Sequence, residues 1–210
     1  MNRLLPRVYP IVDTAALALR RCPPVPFAES LLEAGAAILQ FRHKEHFSRD
    51  TFQTATLIRD LCRQAGAAFV INDRADIAAL LDAGLHLGQD DLPPSLARRI
   101  LGPDALLGFS THNEAQLIAA AAEPVSYLAI GPIFSTASKE NPDPQLGLAL
   151  LPVIRAATTK PLVAIGGITL ESAPSVWAAG AHTIAVIADL LSNGTDKPST
   201  RKRMEQWLNL

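Results

Sequence analysis

Short apolar runs rich in β-branched residues recur along this chain at intervals of roughly 20–30 residues, and that spacing restricts the fold more than any other feature. Eight are legible, at 8–13, 37–42, 67–73, 85–88, 106–110, 126–131, 161–167 and 183–188. Helical spacing or alanine-rich helical composition fills 25–34, 48–65, 74–82, 94–101, 113–122, 147–157, 171–179 and 198–208. The second of these is the clearest. Ser48 can start a helix, Phe52, Ala55, Ile58, Leu61 and Cys62 form an apolar stripe, and Gly66 stops it. Strands alternating with helices predict a parallel sheet, and eight such units predict a closed (β/α)8 TIM barrel, one domain over 1–210. A doubly wound open sheet is the alternative.

Composition narrows the partners. The formal net charge is −1, so no global field draws the chain to nucleic acid or to an anionic membrane. Two cysteines, Cys22 and Cys62, make neither a disulfide framework nor a metal-ligand spacing. No leader-like apolar core precedes Pro6 and Arg7, and no apolar run approaches the roughly 18–20 residues that span a bilayer. The expectation is a cytoplasmic protein acting on small molecules, with no nucleic-acid or membrane partner. Its oligomeric state is left open, a homodimer included.

In a barrel of this kind the chemistry sits where the strands end. The second run passes without a turn into LQFRHK at 39–44. Strand alternation puts Gln40, Arg42 and Lys44 on one side and Leu39, Phe41 and His43 on the other. A closed barrel has no free edge, so an inward cationic row must meet an anion or water. The third run ends at Asn72 and Asp73, and the fourth at Gln89, Asp90 and Asp91. Asn–Asp pairs also cap helices, but adjacent strand ends are neighbours, which places Asp73 and Asp91 to converge. Two carboxylates facing cations suggest magnesium bridging them to a phosphate. His86, within the fourth run, reads as structural.

After the fifth run stand Ser110, Thr111 and His112, where His112 reads as solvated or structural. The sixth is followed by GPIFSTASKENP, long for a bare connection, whose Thr136, Ser138 and Lys139 suit an anion. The glycine pair of AIGGIT after the seventh leaves amides open to a ligand. VIADLL after the eighth opens a short helical turn, and loops at these two positions commonly form a phosphate site. The chain thus predicts two anionic subsites, one cationic and metal-assisted, the other built from backbone amides. A diphosphate and a monophosphate would fill them.

These pieces together resemble the thiamine-phosphate synthase (thiamine-phosphate pyrophosphorylase) family. QFRHK, INDRAD, HLGQDD, GFSTHN, GPIFSTASK, VAIGGI and AVIADLL occur in family order, and VYPIVD is similar to its first strand. The resemblance implies a (β/α)8 barrel that joins 4-amino-2-methyl-5-hydroxymethylpyrimidine diphosphate to a thiazole phosphate in thiamine biosynthesis. Pyrophosphate leaves in a largely dissociative substitution. Gln40, Arg42, Lys44, Asn72, Ser110 and Lys139 match the positions contacting the pyrimidine diphosphate, with Arg42, Lys44 and Lys139 stabilising the departing charge. Asp73 and Asp91 match the Mg²⁺ ligands. Thr136, Ser138, Gly167, Ile187 and Ala188 match the thiazole-phosphate site. Ser138 stands where the family usually has Thr, and Ala188 where Ser is common, which removes one hydroxyl. Two other readings compete: a thiazole tautomerase, which tends to lack the cationic row and both acids, and a non-catalytic phosphate-binding barrel.

Overall fold

The computed structural model describes residues 5–136 and 144–210. Eight parallel strands close into a barrel in sequence order: β1 (Val8–Asp13), β2 (Ile38–Arg42), β3 (Ala68–Asn72), β4 (Gly84–Leu87), β5 (Leu107–Thr111), β6 (Tyr127–Ile130), β7 (Leu162–Ala164) and β8 (Thr183–Val186). β8 returns to β1, with Val8 opposite Ile184 and Tyr9 opposite Ala185, which rules out the open sheet. The helices are α1 (Thr14–Ala18), α2 (Pro24–Glu33), α3 (Arg49–Ala65), α4 (Ala75–Leu80), α5 (Pro94–Leu101), α6 (Glu114–Ala120), α7 (Leu150–Ala157), α8 (Ala173–Ala178) and α9 (Lys197–Leu208), with a 3-10 turn at Ala188–Leu191.

Local chemistry explains these boundaries. Ser48 caps α3 by accepting from the Thr51 amide at 3.2 Å, and Gly66 ends it in the left-handed region at φ 68°. Ala55, Ile58 and Cys62 form its buried stripe. The helix α1 has no counterpart in the sequence reading. It is only five residues long, and Asp13 starts it by accepting from the Ala16 amide at 2.8 Å. β7 and β8 are shorter than their apolar runs, because the chain turns at the glycine pair and at Ile187.

Strand alternation divides the apolar side chains into two cores. Tyr9, Ile11, Ile38, Val70, Tyr127 and Val163 fill the barrel. Leu39, Phe41, Ile71, Leu85 and Leu87 belong to the larger cluster that also takes in the helices' buried faces. The parity predicted for β2 holds: Ile38 lies in the inner cluster, Leu39 and Phe41 in the outer. Gly108 of β5 is where the inner core is tightest. It lies opposite Tyr127, and a Cβ there would come within 2.1 Å of the tyrosine ring. Gly108→Ala is therefore expected to destabilise the fold by about 1–3 kcal/mol through overpacking. A denaturation midpoint equal to that of the unaltered protein would contradict this.

The last helix is tied to the end of β8. Asp189 in the 3-10 turn accepts from Arg203 Nη2 at 2.7 Å and Nε at 3.1 Å, and from the Trp207 indole at 2.7 Å. All three residues are largely buried. α9 thereby anchors the turn that follows Ile187 and Ala188.

Candidate active site

A cavity of about 380 Å³ opens at the C-terminal ends of the strands. β2 supplies Gln40 and Arg42, and the segment after it supplies Lys44. Asn72 and Asp73 come from the end of β3, His86 from β4 and Ser110 from β5. Thr136, Gly167, Ile187 and Ala188 line it from the loops after β6, β7 and β8. Ser138 and Lys139 lie outside the described residues.

The cationic row meets acids of the chain's own. Arg42 pairs with Asp13 across the β1–β2 register, and Lys44 pairs with Asp73. Asp13 escaped the sequence reading because it closes the first apolar run. Only the pairing of Asp13 opposite Arg42 exposes its role. Asp73 occupies the left-handed region at φ 65°, a conformation that Asp and Asn tolerate better than most side chains. Its amide donates to the His86 carbonyl at 2.8 Å, which fixes the turn.

Asp73 and Asp91 converge as expected from adjacent strand ends, close enough for one carboxyl to hydrogen-bond to the other. Asp91 is oriented from behind, accepting from the Gly88 amide at 2.7 Å. Burial pushes the Asp73 carboxyl up to about 6, the Asp91 carboxylate adds to the rise, and the Lys44 ammonium opposes it. Two acids in contact repel unless a proton or a cation lies between them. That donor set suits a hard divalent ion that completes its shell with phosphate oxygens and water. Beside them, the Asn72 amide nitrogen is buried with no hydrogen-bond partner among the described residues. An orphaned donor at a cavity wall fits an acceptor on a ligand.

The opposite wall is made of backbone. Gly167 has φ 63°, and a Cβ there would come within 2.3 Å of the Ser135 carbonyl oxygen, so only glycine lets this loop pass. The loops after β6 and β7 are laced together by Ile133 N–H to the Ile165 carbonyl at 2.9 Å and Phe134 N–H to the Gly166 carbonyl at 3.0 Å. His112 lines the cavity with its Nδ1 2.8 Å from the Gly131 carbonyl oxygen.

His86 is both structural and part of the site. It is buried between Tyr127, 2.9 Å from Nδ1, and Ser110, 2.8 Å from Nε2. Burial pushes its pKa down to about 4, against a partial upward pull from Asp91. The unfolded chain takes up this proton near 6.5 and the folded chain does not, so stability falls as pH drops from about 6.5 toward about 4. The loss should reach at most roughly 3 kcal/mol. The raised Asp73 carboxyl acts in the opposite sense over the same range. The His86 contribution is therefore read as the difference between the unaltered protein and His86→Gln in denaturation midpoints from about pH 7 to about pH 4.5, the variant losing less on acidification. An unchanged slope in the variant would assign the loss to other groups.

The family described as thiamine monophosphate synthase matches residues 8–190. A thiamine-phosphate synthase of Koribacter versatilis is 45% identical over 205 residues, covering 93% of each chain. One from Chlorobium phaeovibrioides is 46% identical over 167 residues, 79% of this chain and 80% of that relative. Among solved structures, a thiamine phosphate pyrophosphorylase from Pyrococcus furiosus superposes with a TM-score of 0.81 at 31% identity, covering 99% of this chain and 98% of that one. With cationic row, paired acids and glycine loop at one mouth of one barrel, the chain belongs to the thiamine monophosphate synthase family.

Proposed function

We infer that the protein joins 4-amino-2-methyl-5-hydroxymethylpyrimidine diphosphate to a thiazole phosphate, releasing pyrophosphate and forming thiamine phosphate. The observation that carries this reading is the polarity of a single cavity. Arg42, Lys44, Asn72 and Asp73 gather at one wall, with Asp91 beside Asp73, and the amides around Gly167, Ile187 and Ala188 at the other. A diphosphate fits the first and a monophosphate the second.

Asp73 and Asp91 would hold Mg²⁺, which supplies charge stabilisation to the departing pyrophosphate. Arg42 and Lys44 present fixed positive charge to the same group, with Lys139 as a third cation. Asn72 and Ser110 contact the pyrimidine diphosphate, and Gln40 orients it from β2. Thr136, Ser138, Gly167, Ile187 and Ala188 grip the thiazole phosphate, so that the ring nitrogen is held in line with the carbon that pyrophosphate leaves. Positioning of this kind lowers the barrier without a nucleophilic side chain. Cys22 and Cys62 are free and buried, and burial pushes Cys62 up to about 12, so neither is a thiolate suited to attack. They agree with a reducing, cytoplasmic setting. Among the described residues no helix is long and apolar enough to cross a membrane.

The test is a chromatographic assay for thiamine phosphate with both substrates, with Mg²⁺ and with EDTA. Product is expected only when both substrates and the metal are present. No product under full conditions would reject the activity, and undiminished product in EDTA would reject the metal. The paired acids and the cationic row count against a tautomerase that makes no use of a diphosphate.

A further inference from the structure

Five side chains cross the floor of the cavity in one hydrogen-bonded chain, and their proton directions depend on one another. Gln40 Nε2 donates to the Tyr9 hydroxyl at 3.1 Å, and the Tyr9 and Tyr127 hydroxyls lie 3.2 Å apart. The Tyr127 hydroxyl is 2.9 Å from His86 Nδ1, and His86 Nε2 is 2.8 Å from Ser110 Oγ. Gln40, Tyr9, Tyr127 and His86 are all buried, so the links among these four are shielded from water. Burial also keeps both phenols protonated.

Each hydroxyl carries one proton, and a neutral imidazole carries one N–H. Tyr9 accepts from Gln40, and in one self-consistent sense its own proton goes to Tyr127. Tyr127 in turn donates to His86 Nδ1. The imidazole proton is then left on Nε2, where it is donated to Ser110 Oγ. The Ser110 proton is then available to the cavity, which both Gln40 and Ser110 line. We propose that Gln40, Tyr9, Tyr127, His86 and Ser110 form a directional relay in which the donor at position 40 sets the His86 tautomer and makes Ser110 a hydrogen-bond donor to the ligand.

The opposite sense is equally self-consistent. An acceptor at position 40 would take the Tyr9 proton, Tyr9 would accept from Tyr127, and Tyr127 would accept from an Nδ1–H tautomer of His86. Nε2 would then accept from Ser110, leaving that hydroxyl only lone pairs to offer the cavity. Phosphate oxygens and unprotonated ring nitrogens are acceptors, so only the proposed sense serves them. Tyr9, Tyr127 and His86 are thus positioning residues that need not touch the substrate. The donation from Ser110 to substrate rests on the synthase reading. The coupling between position 40 and His86 does not.

The experiment reads the tautomer directly, without substrate, from long-range ¹H–¹⁵N correlations of the histidine rings in the ¹⁵N-labelled full chain. His86 is expected as the Nε2–H tautomer. Gln40→Glu replaces the donor by a carboxylate that only accepts, and should convert His86 to the Nδ1–H form. Adding Tyr9→Phe cuts the chain and should restore Nε2–H. An Nδ1–H tautomer in the unaltered protein, or a folded Q40E variant that keeps Nε2–H, would overturn the relay. Where Q40E does not fold, Tyr127→Phe removes the donor to Nδ1 and should turn the single tautomer into a mixture. A single Nε2–H form surviving there would equally overturn it. Because no substrate enters, a negative synthase assay with the tautomer switch intact would reject the activity alone.

Discussion

Asp73→Asn is expected to lower turnover about a thousand-fold, roughly 4 kcal/mol of transition-state stabilisation, with the fold intact. Position 73 lies in the left-handed region, which asparagine tolerates, so the backbone turn should survive the change. What is lost is one of two carboxylates in contact, and with it the charge that would hold a divalent ion against the diphosphate. Asp91→Asn should act in the same direction, because the Gly88 amide would still orient the side chain. Steady-state kinetics across a Mg²⁺ titration, with a thermal melt of each variant, measure both parts. Rates within threefold of the unaltered protein for both variants would remove the metal assignment.

The largest expected loss of stability comes from Arg203→Gln. Asp189 is buried, and Arg203 and Trp207 supply the three hydrogen bonds to its carboxylate among the described residues. Removing the guanidinium leaves a nearly bare carboxylate inside the protein, which costs about 3–5 kcal/mol. Most of that cost belongs to the orphaned charge rather than to the lost pair. Asp189→Asn combined with Arg203→Gln should therefore recover a substantial part of it. Equilibrium denaturation of the single and double variants decides this. A single variant within about 1 kcal/mol of the unaltered protein would show that water or another cation takes over.

The barrel was legible because its signal is periodic and local. Every apolar run became a strand, and Ser48 and Gly66 bounded α3 as their chemistry required. α1 was not legible, since five residues are too few to display a period. The site was legible where a residue type is costly without a partner: Arg42 at the end of a closed barrel's strand, with Lys44 just beyond it, and two acids at neighbouring strand ends. It was not legible where a role depends on register. Asp13 reads as the end of a strand until the β1–β2 pairing sets it opposite Arg42. His86 was rightly placed in the framework, yet its bonds to Tyr127 and Ser110 come from strands β6 and β5, which no local pattern could join to it. The same holds for Asp189 and Arg203, whose partnership spans fourteen positions and a loop.

The ring closure of β8 onto β1 has a kinetic corollary. Groups from seven different strand ends share one hollow, so no half of the protein can assemble a working centre by itself. During refolding, helical circular dichroism should recover before thiamine-phosphate output does. Catalysis would then report the moment when Tyr9 comes to lie beside Ala185.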